Sequence, residues 1–339
     1  MKAIVLTKTG SAEKAFEMKE MPMPAYQDQE VLIKVAYSGL NFADVMARKG
    51  MYKEAPPMPC VLGYDVSGTV EAIGKDVTNV SMGDEVFAFT RFGGYAEYAV
   101  TNAQAVAKIP QGMDMPTATA LATQYSTAYF NAAEMVNLYE GDTVLVHAGA
   151  GGVGTGLIQY ALYKGCTVFA TVGSDEKIEL LKKAGVHVPI NYRKENFVEV
   201  IRQKTNGEGV NVIFDAIGGK SVKQGIKSLS TGGRIVCYGA AEMTSSMGMF
   251  HQLATGIAFG FYNPGLLIMS AKSILGVNML KLGDHQPRAF KRCIDEVSKL
   301  AEQGIFKPVL GKVFPASDIA GAHALLEGRA SVGKVVLAW

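Results

Sequence analysis

Up to about residue 120 the chain alternates short apolar runs with turns. VLIKVAYSGL (31–40), VSGTVEAIG (66–74), GDEVFAFT (83–90) and YAEYAV (95–100) are rich in Val, Tyr and Phe and punctuated by glycine. That pattern predicts a small antiparallel, barrel-like unit. From about 125 it changes to strands alternating with helices. Thr143–His147 reads as a short apolar strand, and Val153, Leu157, Ile158, Ala161 and Leu162 then recur at helical spacing. Thr167–Val172 is a second strand, with Ile178, Leu180, Leu181 and Ala184 marking the helix after it. Val188–Asn191, Val212–Ala216, Arg234–Gly239 and Ile274–Val277 are further strand candidates. Such alternation predicts a doubly wound parallel sheet. An amphipathic helix is expected around Ala289–Gln303, followed by short segments ending in GKVVLAW. The domains expected are 1–124, 125–274 and a tail, 275–339, that returns to the first.

Length supports two domains, since 339 residues exceed one compact core. With 48% hydrophobic and 19% charged residues, the composition is that of an ordinary globular protein. The formal net charge of +2 gives no electrostatic case for nucleic acid or an anionic membrane as the main partner. Cys60, Cys166, Cys237 and Cys293 lie outside metal-ligand spacing of one another. Few, scattered cysteines and a start without a signal-peptide core suit the cytoplasm. The stretch 253–270 (LATGIAFGFYNPGLLIMS) is apolar but short for a bilayer span and interrupted by Asn263-Pro264-Gly265. A buried or interface-covering helical insert is expected there, without a membrane span.

The chemistry starts at residues 149–154, Gly149-Ala150-Gly151-Gly152-Val153-Gly154, which match G-x-G-x-x-G. Alone the match is weak, but here it follows a strand and opens an amphipathic helix. Gly149 is expected to permit the tight turn, Gly151 to let backbone approach a pyrophosphate, and Gly154 to let helix and sheet pack closely. Helix N-terminal amides and the helix dipole then favour phosphates. A dinucleotide lacking the 2′-phosphate is usually gripped by a carboxylate at the end of the second strand. Here Thr171-Val172-Gly173-Ser174 offers none before Asp175 and Glu176. Ser174 reads as a helix N-cap. Lys177, one turn further in, either meets a phosphate or is a solvated charge. Tyr192 and Arg193 are placed to flank the adenosine. NADPH is therefore the cofactor expected.

SGLNFADVMARKGMY (38–52), LGYDVSGTVEAIG (62–74), GDEVFAF (83–89), HAGAGGVG (147–154), NYR (191–193) and GKVVL (333–337) together resemble the medium-chain dehydrogenase/reductase superfamily over nearly the whole chain. The branch most similar is the zinc-independent quinone oxidoreductases. Within it, GLNFADVMARKGMY and the insert at 241–272 look most like the group named after the vesicle amine transport protein. The resemblance implies a GroES-like, partly open barrel beside a Rossmann domain. In zinc enzymes of the superfamily a Cys stands where this chain has Asn41, and a Gly-His-Glu run where it has Gly63-Tyr64-Asp65. Asn and Tyr lack the thiolate and imidazole of a catalytic zinc site, so no metal is expected.

The resemblance implies hydride transfer from NADPH to a quinone or an α,β-unsaturated carbonyl. The protein would position the cofactor, exclude water and donate a hydrogen bond or proton. Asn41, Tyr52 and Tyr64 are the catalytic candidates, and Tyr52 is either a proton donor or a pocket wall. Thr127 either bonds the carboxamide of the nicotinamide or is a helix-lining hydroxyl. Asn278, after the sixth strand, and Lys334 are further cofactor contacts implied by the family. The five histidines form no ligand or triad pattern, and His147 reads as structural. Two alternatives stand: an enoyl-thioester reductase, and a nucleotide-binding protein acting through a partner or membrane surface. A homodimer is expected through the edge of the sixth strand.

Overall fold

The computed structural model describes residues 1–244 and 257–339. The chain divides into two compact units, one of Met1–Thr127 with Met279–Trp339 and one of Ala128–Asn278.

In the first unit, β1 (Lys2–Leu6) pairs antiparallel with β2 (Phe16–Glu20) and β4 (Cys60–Val61). A larger sheet is built on β3 (Glu30–Leu40), the longest strand. One edge of β3 takes β5 (Asp65–Ile73), followed outward by β6 (Glu85–Phe89) and β8 (Val106–Lys108). Its other edge is shared. β7 (Tyr98–Asn102) covers Glu30–Lys34 and the C-terminal strand covers Tyr37–Leu40. Alternation along β3 puts Val31, Ile33 and Val35 into a core with Val66, Val70, Val86 and Val106. A second core gathers Ile4, Leu6, Leu40, Leu62, Tyr95, Phe314, Val335 and Leu337.

The second unit carries β9 (Thr143–Val146), β10 (Thr167–Val172), β11 (Val188–Asn191), β12 (Val210–Asp215), β13 (Leu229–Cys237) and β14 (Ser273–Gly276). All their pairings are parallel, and the spatial order is β11-β10-β9-β12-β13-β14. This is the doubly wound order expected. Its direction reverses between β9 and β12, where ligands bind sheets of this kind. Leu145, Phe169, Ile190, Ile213 and Ile235 fill one face of the sheet with Phe197 and Ile201 of the helix Phe197–Lys204.

The tail returns to the first unit through helix Pro287–Glu302, β15 (Leu310–Pro315) and β16 (Lys334–Ala338). β16 lies antiparallel to β3, and Trp339 Nε1 donates to Ser38 Oγ at 2.7 Å.

One expectation changes. Residues 245–256 of the insert lie outside the described residues. The part that is described is not buried: helix Pro264–Ser270 has no buried residue, and Phe261 and Met269 are 92% and 85% exposed. Phe259, in the same segment, packs against the core of the sheet. Among the described residues no helix is long and apolar enough to cross a membrane.

His323 sits in the first unit between the rings of Phe16 and Tyr95, with no hydrogen bond to either ring nitrogen. Burial, aided by the Arg48 guanidinium, drives its pKa down to about 3. The folded state therefore holds it neutral, while the unfolded chain takes up a proton near pH 6.5. Its contribution is intact above that pH and is lost as pH falls towards 3. Between pH 6.5 and pH 5 wild type should lose about 2 kcal/mol from this group alone. Urea unfolding of His323→Leu at both pH values should show a shallower decline; an equal decline would rule the assignment out.

Candidate functional site

The second unit offers a cradle at the end of β9. Ala148, with φ of 55°, is the left-handed residue of the turn, so the reversal there does not rest on a glycine. Gly149 is needed for space, since a Cβ on it would come within 2.9 Å of Ala170 Cβ. Gly151 caps the helix Gly152–Tyr163, and a Cβ there would meet only the Ala148 carbonyl, at 3.2 Å. Gly154 is the tightest: a Cβ would stand 2.4 Å from Ala148 O and 2.9 Å from Gly149 Cα. The helix thus presses on the turn itself, rather than on the sheet as expected. Its first-turn amides lack partners within the helix and suit a phosphate. Ala150 is buried beside them and Val153 half-buried.

His147 closes β9 with Nδ1 2.9 Å from Thr171 Oγ1 and its ring edge-on to Phe197. Burial lowers its pKa, so it is a neutral brace.

At the ends of β10 and β11 the sequence candidates come together. The Tyr192 hydroxyl lies over Gly173, 2.6 Å from where a Cβ would be. Ser174 caps helix Asp175–Lys183 as expected, its Oγ accepting from Lys177 N at 3.4 Å. Burial lowers the pKa of the Lys177 ammonium, and the neighbouring Arg193 guanidinium lowers it further. Two cations therefore stand close enough to repel, an arrangement that an anion relieves. Asp175, the first carboxylate after β10, accepts from Asn191 Nδ2 at 2.9 Å and from Lys194 Nζ at 2.5 Å. Nothing local in the sequence points to its neutralising partner, Lys194: one residue opens a helix and the other lies in the turn after β11.

In the first unit, Asn41 caps helix Phe42–Arg48 in a reciprocal box with Asp44. Asp44 also accepts from Gly63 N at 3.2 Å, and burial, more than the charge of Asp65, raises its pKa to about 7. Tyr52 and Tyr64 meet edge to face, ring centroids 6.3 Å apart, and Phe92 closes on Tyr64 at 5.2 Å. The Tyr64 hydroxyl is buried without a hydrogen-bond partner. Burial, then the charges of Glu54 and Asp44, pushes Tyr52 up to about 12; burial and Asp44 push Tyr64 higher still.

Of the remaining candidates, Lys334 meets one of these residues. Thr127 donates to Thr123 O at 2.6 Å, the helix-lining arrangement. Asn278 is exposed just beyond β14. Lys334 is fully buried, its ammonium on Asp65 Oδ2 at 2.5 Å and Asn41 Oδ1 at 3.1 Å. Sequence shows Asp65 only as part of the altered Gly-Tyr-Asp run; the buried pair emerges from the fold.

Residues 152–299 match the family described as zinc-binding dehydrogenase, and residues 27–111 match the alcohol dehydrogenase GroES-like domain. The chain is 32% identical to a synaptic vesicle membrane protein VAT-1 homolog of Danio rerio, covering 99% of this chain and 69% of that protein. It is 30% identical to the quinone oxidoreductase of Rattus norvegicus, covering 99% and 97%. A mycobacterial protein solved with NADPH superposes with a TM-score of 0.87 at 31% identity, covering both chains fully. The chain belongs to the medium-chain dehydrogenase/reductase family, in the group of quinone oxidoreductases and VAT-1 homologues. Zinc, carried in the first family's description, does not fit these residues. An amide, a phenol and a carboxylate already held by an ammonium stand at 41, 64 and 65. Among the described residues no cluster of three or more His, Cys, Asp or Glu could hold a metal.

Gly154→Ala should lose about 1–3 kcal/mol by overpacking, read as a lower melting temperature. Dinucleotide binding should weaken by about tenfold or more, read by fluorescence titration. Unchanged binding would show that the helix need not press on the turn.

Proposed function

We propose that the protein is an NADPH-dependent, metal-free reductase of quinones or α,β-unsaturated carbonyls. The observation that carries the reading is the cation pair Lys177–Arg193, set beside Gly173 and Tyr192 with Asp175 already neutralised by Lys194. That set fits a 2′-phosphate, and its first carboxylate after β10, Asp175, is already engaged.

The amides opening helix Gly152–Tyr163 would hold the pyrophosphate, and Ser174, Lys177 and Arg193 the 2′-phosphate. Thr127 and Asn278 would lie along the nicotinamide, which supplies a hydride when NADPH is bound. The oxygen of the acceptor gathers charge as carbon is reduced, so the chain's task is to donate hydrogen bonds there and keep water out. Asn41 is our donor. With its pKa pushed up to about 12, Tyr52 keeps its proton through the neutral range, and we assign it as a pocket wall and neutral hydrogen-bond donor. Tyr64 backs it.

Purified protein should oxidise NADPH with at least one acceptor from panels of quinones, enones and enoyl thioesters. Its kcat/KM should favour NADPH over NADH by about tenfold or more, a margin within reach of one charged hydrogen bond. NADH serving equally well would sink the cofactor assignment. Tight NADPH binding with no turnover on any acceptor would favour a protein that acts by association.

Tyr52→Phe should lower kcat/KM by no more than about tenfold, the scale of one neutral hydrogen bond. A loss of several thousandfold would instead make Tyr52 the acid.

A further inference from the structure

The Lys334–Asp65 pair is more elaborate than a tie between strands requires. Lys334 opens β16, Asp65 opens β5, and both side chains are fully buried. Asn41 joins them in a closed triangle. Its Oδ1 accepts from Lys334 Nζ at 3.1 Å, and its Nδ2 donates to Asp65 Oδ1 at 2.9 Å. An ammonium only donates and a carboxylate only accepts, so the carboxamide has one allowed orientation. The backbone is held as well, with Asn41 N donating to Asp44 Oδ2 at 2.8 Å. β3 leaves room for this at Gly39, where a Cβ would stand 2.3 Å from Lys334 Cε and 2.5 Å from Asp65 Oδ1.

Of the three, Asn41 alone has any exposure, 8%, so it is the member through which the triangle meets anything outside it. Its Nδ2 has two hydrogens. One goes to Asp65, and the other has no partner among the described residues. A cation on the amide oxygen draws electron density from the nitrogen and strengthens that remaining donor.

We propose that Lys334 and Asp65 are positioning residues that orient and polarise Asn41, so that its free N–H donates to an oxyanion on the reduced acceptor. This rests on the reductase reading and specifies which group meets the developing charge. The amide keeps its proton throughout. Hydride bonds to the acceptor's carbon, the electron pair of the carbonyl or enone moves to oxygen, and that oxygen takes a proton from water.

Para-nitrophenolate, a coloured oxyanion, probes the site without turnover. Lys334→Met or Asp65→Asn alone leaves one buried charge unpaired and should melt well below wild type. The double variant Asp65→Asn/Lys334→Met removes both charges and should recover most of that stability. It should nevertheless bind para-nitrophenolate about tenfold more weakly. Its kcat should fall while the KM for acceptor and the affinity for NADPH stay near wild type. Asn41→Leu should cost less in the double background than in wild type, because the three act as one unit. A double variant with wild-type phenolate affinity and kcat would reduce the triangle to a structural tie and overturn the proposal.

If the double variant fails to fold, side-chain amide NMR of wild type decides. The Asn41 signals, identified by their loss in Asn41→Leu, should shift on adding para-nitrophenolate, and no shift overturns the proposal. Wild type that binds phenolate through Asn41 yet reduces no acceptor would remove the reductase reading, and with it the reduced acceptor as the ligand, while leaving Asn41 as an oriented oxyanion donor.

Discussion

An ammonium taken out of water costs several kcal/mol unless it is surrounded by acceptors. Lys334 meets that condition through the whole architecture of the first unit. Asp65 reaches it from β5 and Asn41 from the start of a helix, across 269 and 293 positions of sequence. β16 must lie antiparallel to β3 for the stem to cross Gly39, which pairs with Asp65 on one side and Val336 on the other. Helix Phe42–Arg48 must start where it does for Asn41 to turn inward. Shifting any of these elements by one residue would strand a buried charge.

In the second unit charge is arranged in the open. An exposed ion pair such as Asp175–Lys194 contributes little to stability. What it changes is the charge presented at the end of β10. There the pair cancels itself, beside Lys177 and Arg193. The nearby turn adds backbone amides, so both elements proposed to hold phosphates lie on one unit, at the carboxyl ends of β9, β10 and β11.

The parallel sheet was legible because each of its strands is an apolar run with clear ends: Thr167–Val172 and Val188–Asn191 fall where the pattern put them. β13 begins five residues before its expected start at Arg234, because Leu229 already pairs with Val210 and the polar stretch Ser230-Thr231-Gly232-Gly233 interrupts the register before Arg234 resumes it. The glycine turn was legible as a motif, though not in its mechanics, since the strained residue is Ala148. Least legible were the long-range polar pairings. Nothing local to Asp65 names Lys334, and nothing local to Asp175 names Lys194. Periodicity records which face of an element is apolar, whereas these contacts depend on which elements become neighbours.

The shared edge of β3 has a consequence for synthesis. β7 lies within 72 residues of the start of β3 and can cover its first half early, but the half from Tyr37 to Leu40 waits for a strand that begins at Lys334. While the ribosome makes the 230-odd residues between β7 and β16, that stretch offers unpaired amides and carbonyls beside an apolar core. The second unit is complete in sequence well before then and is free to fold during the wait. A nascent chain truncated before β16 would therefore present a finished nucleotide fold joined to an open sheet edge, a substrate for chaperones or for aggregation.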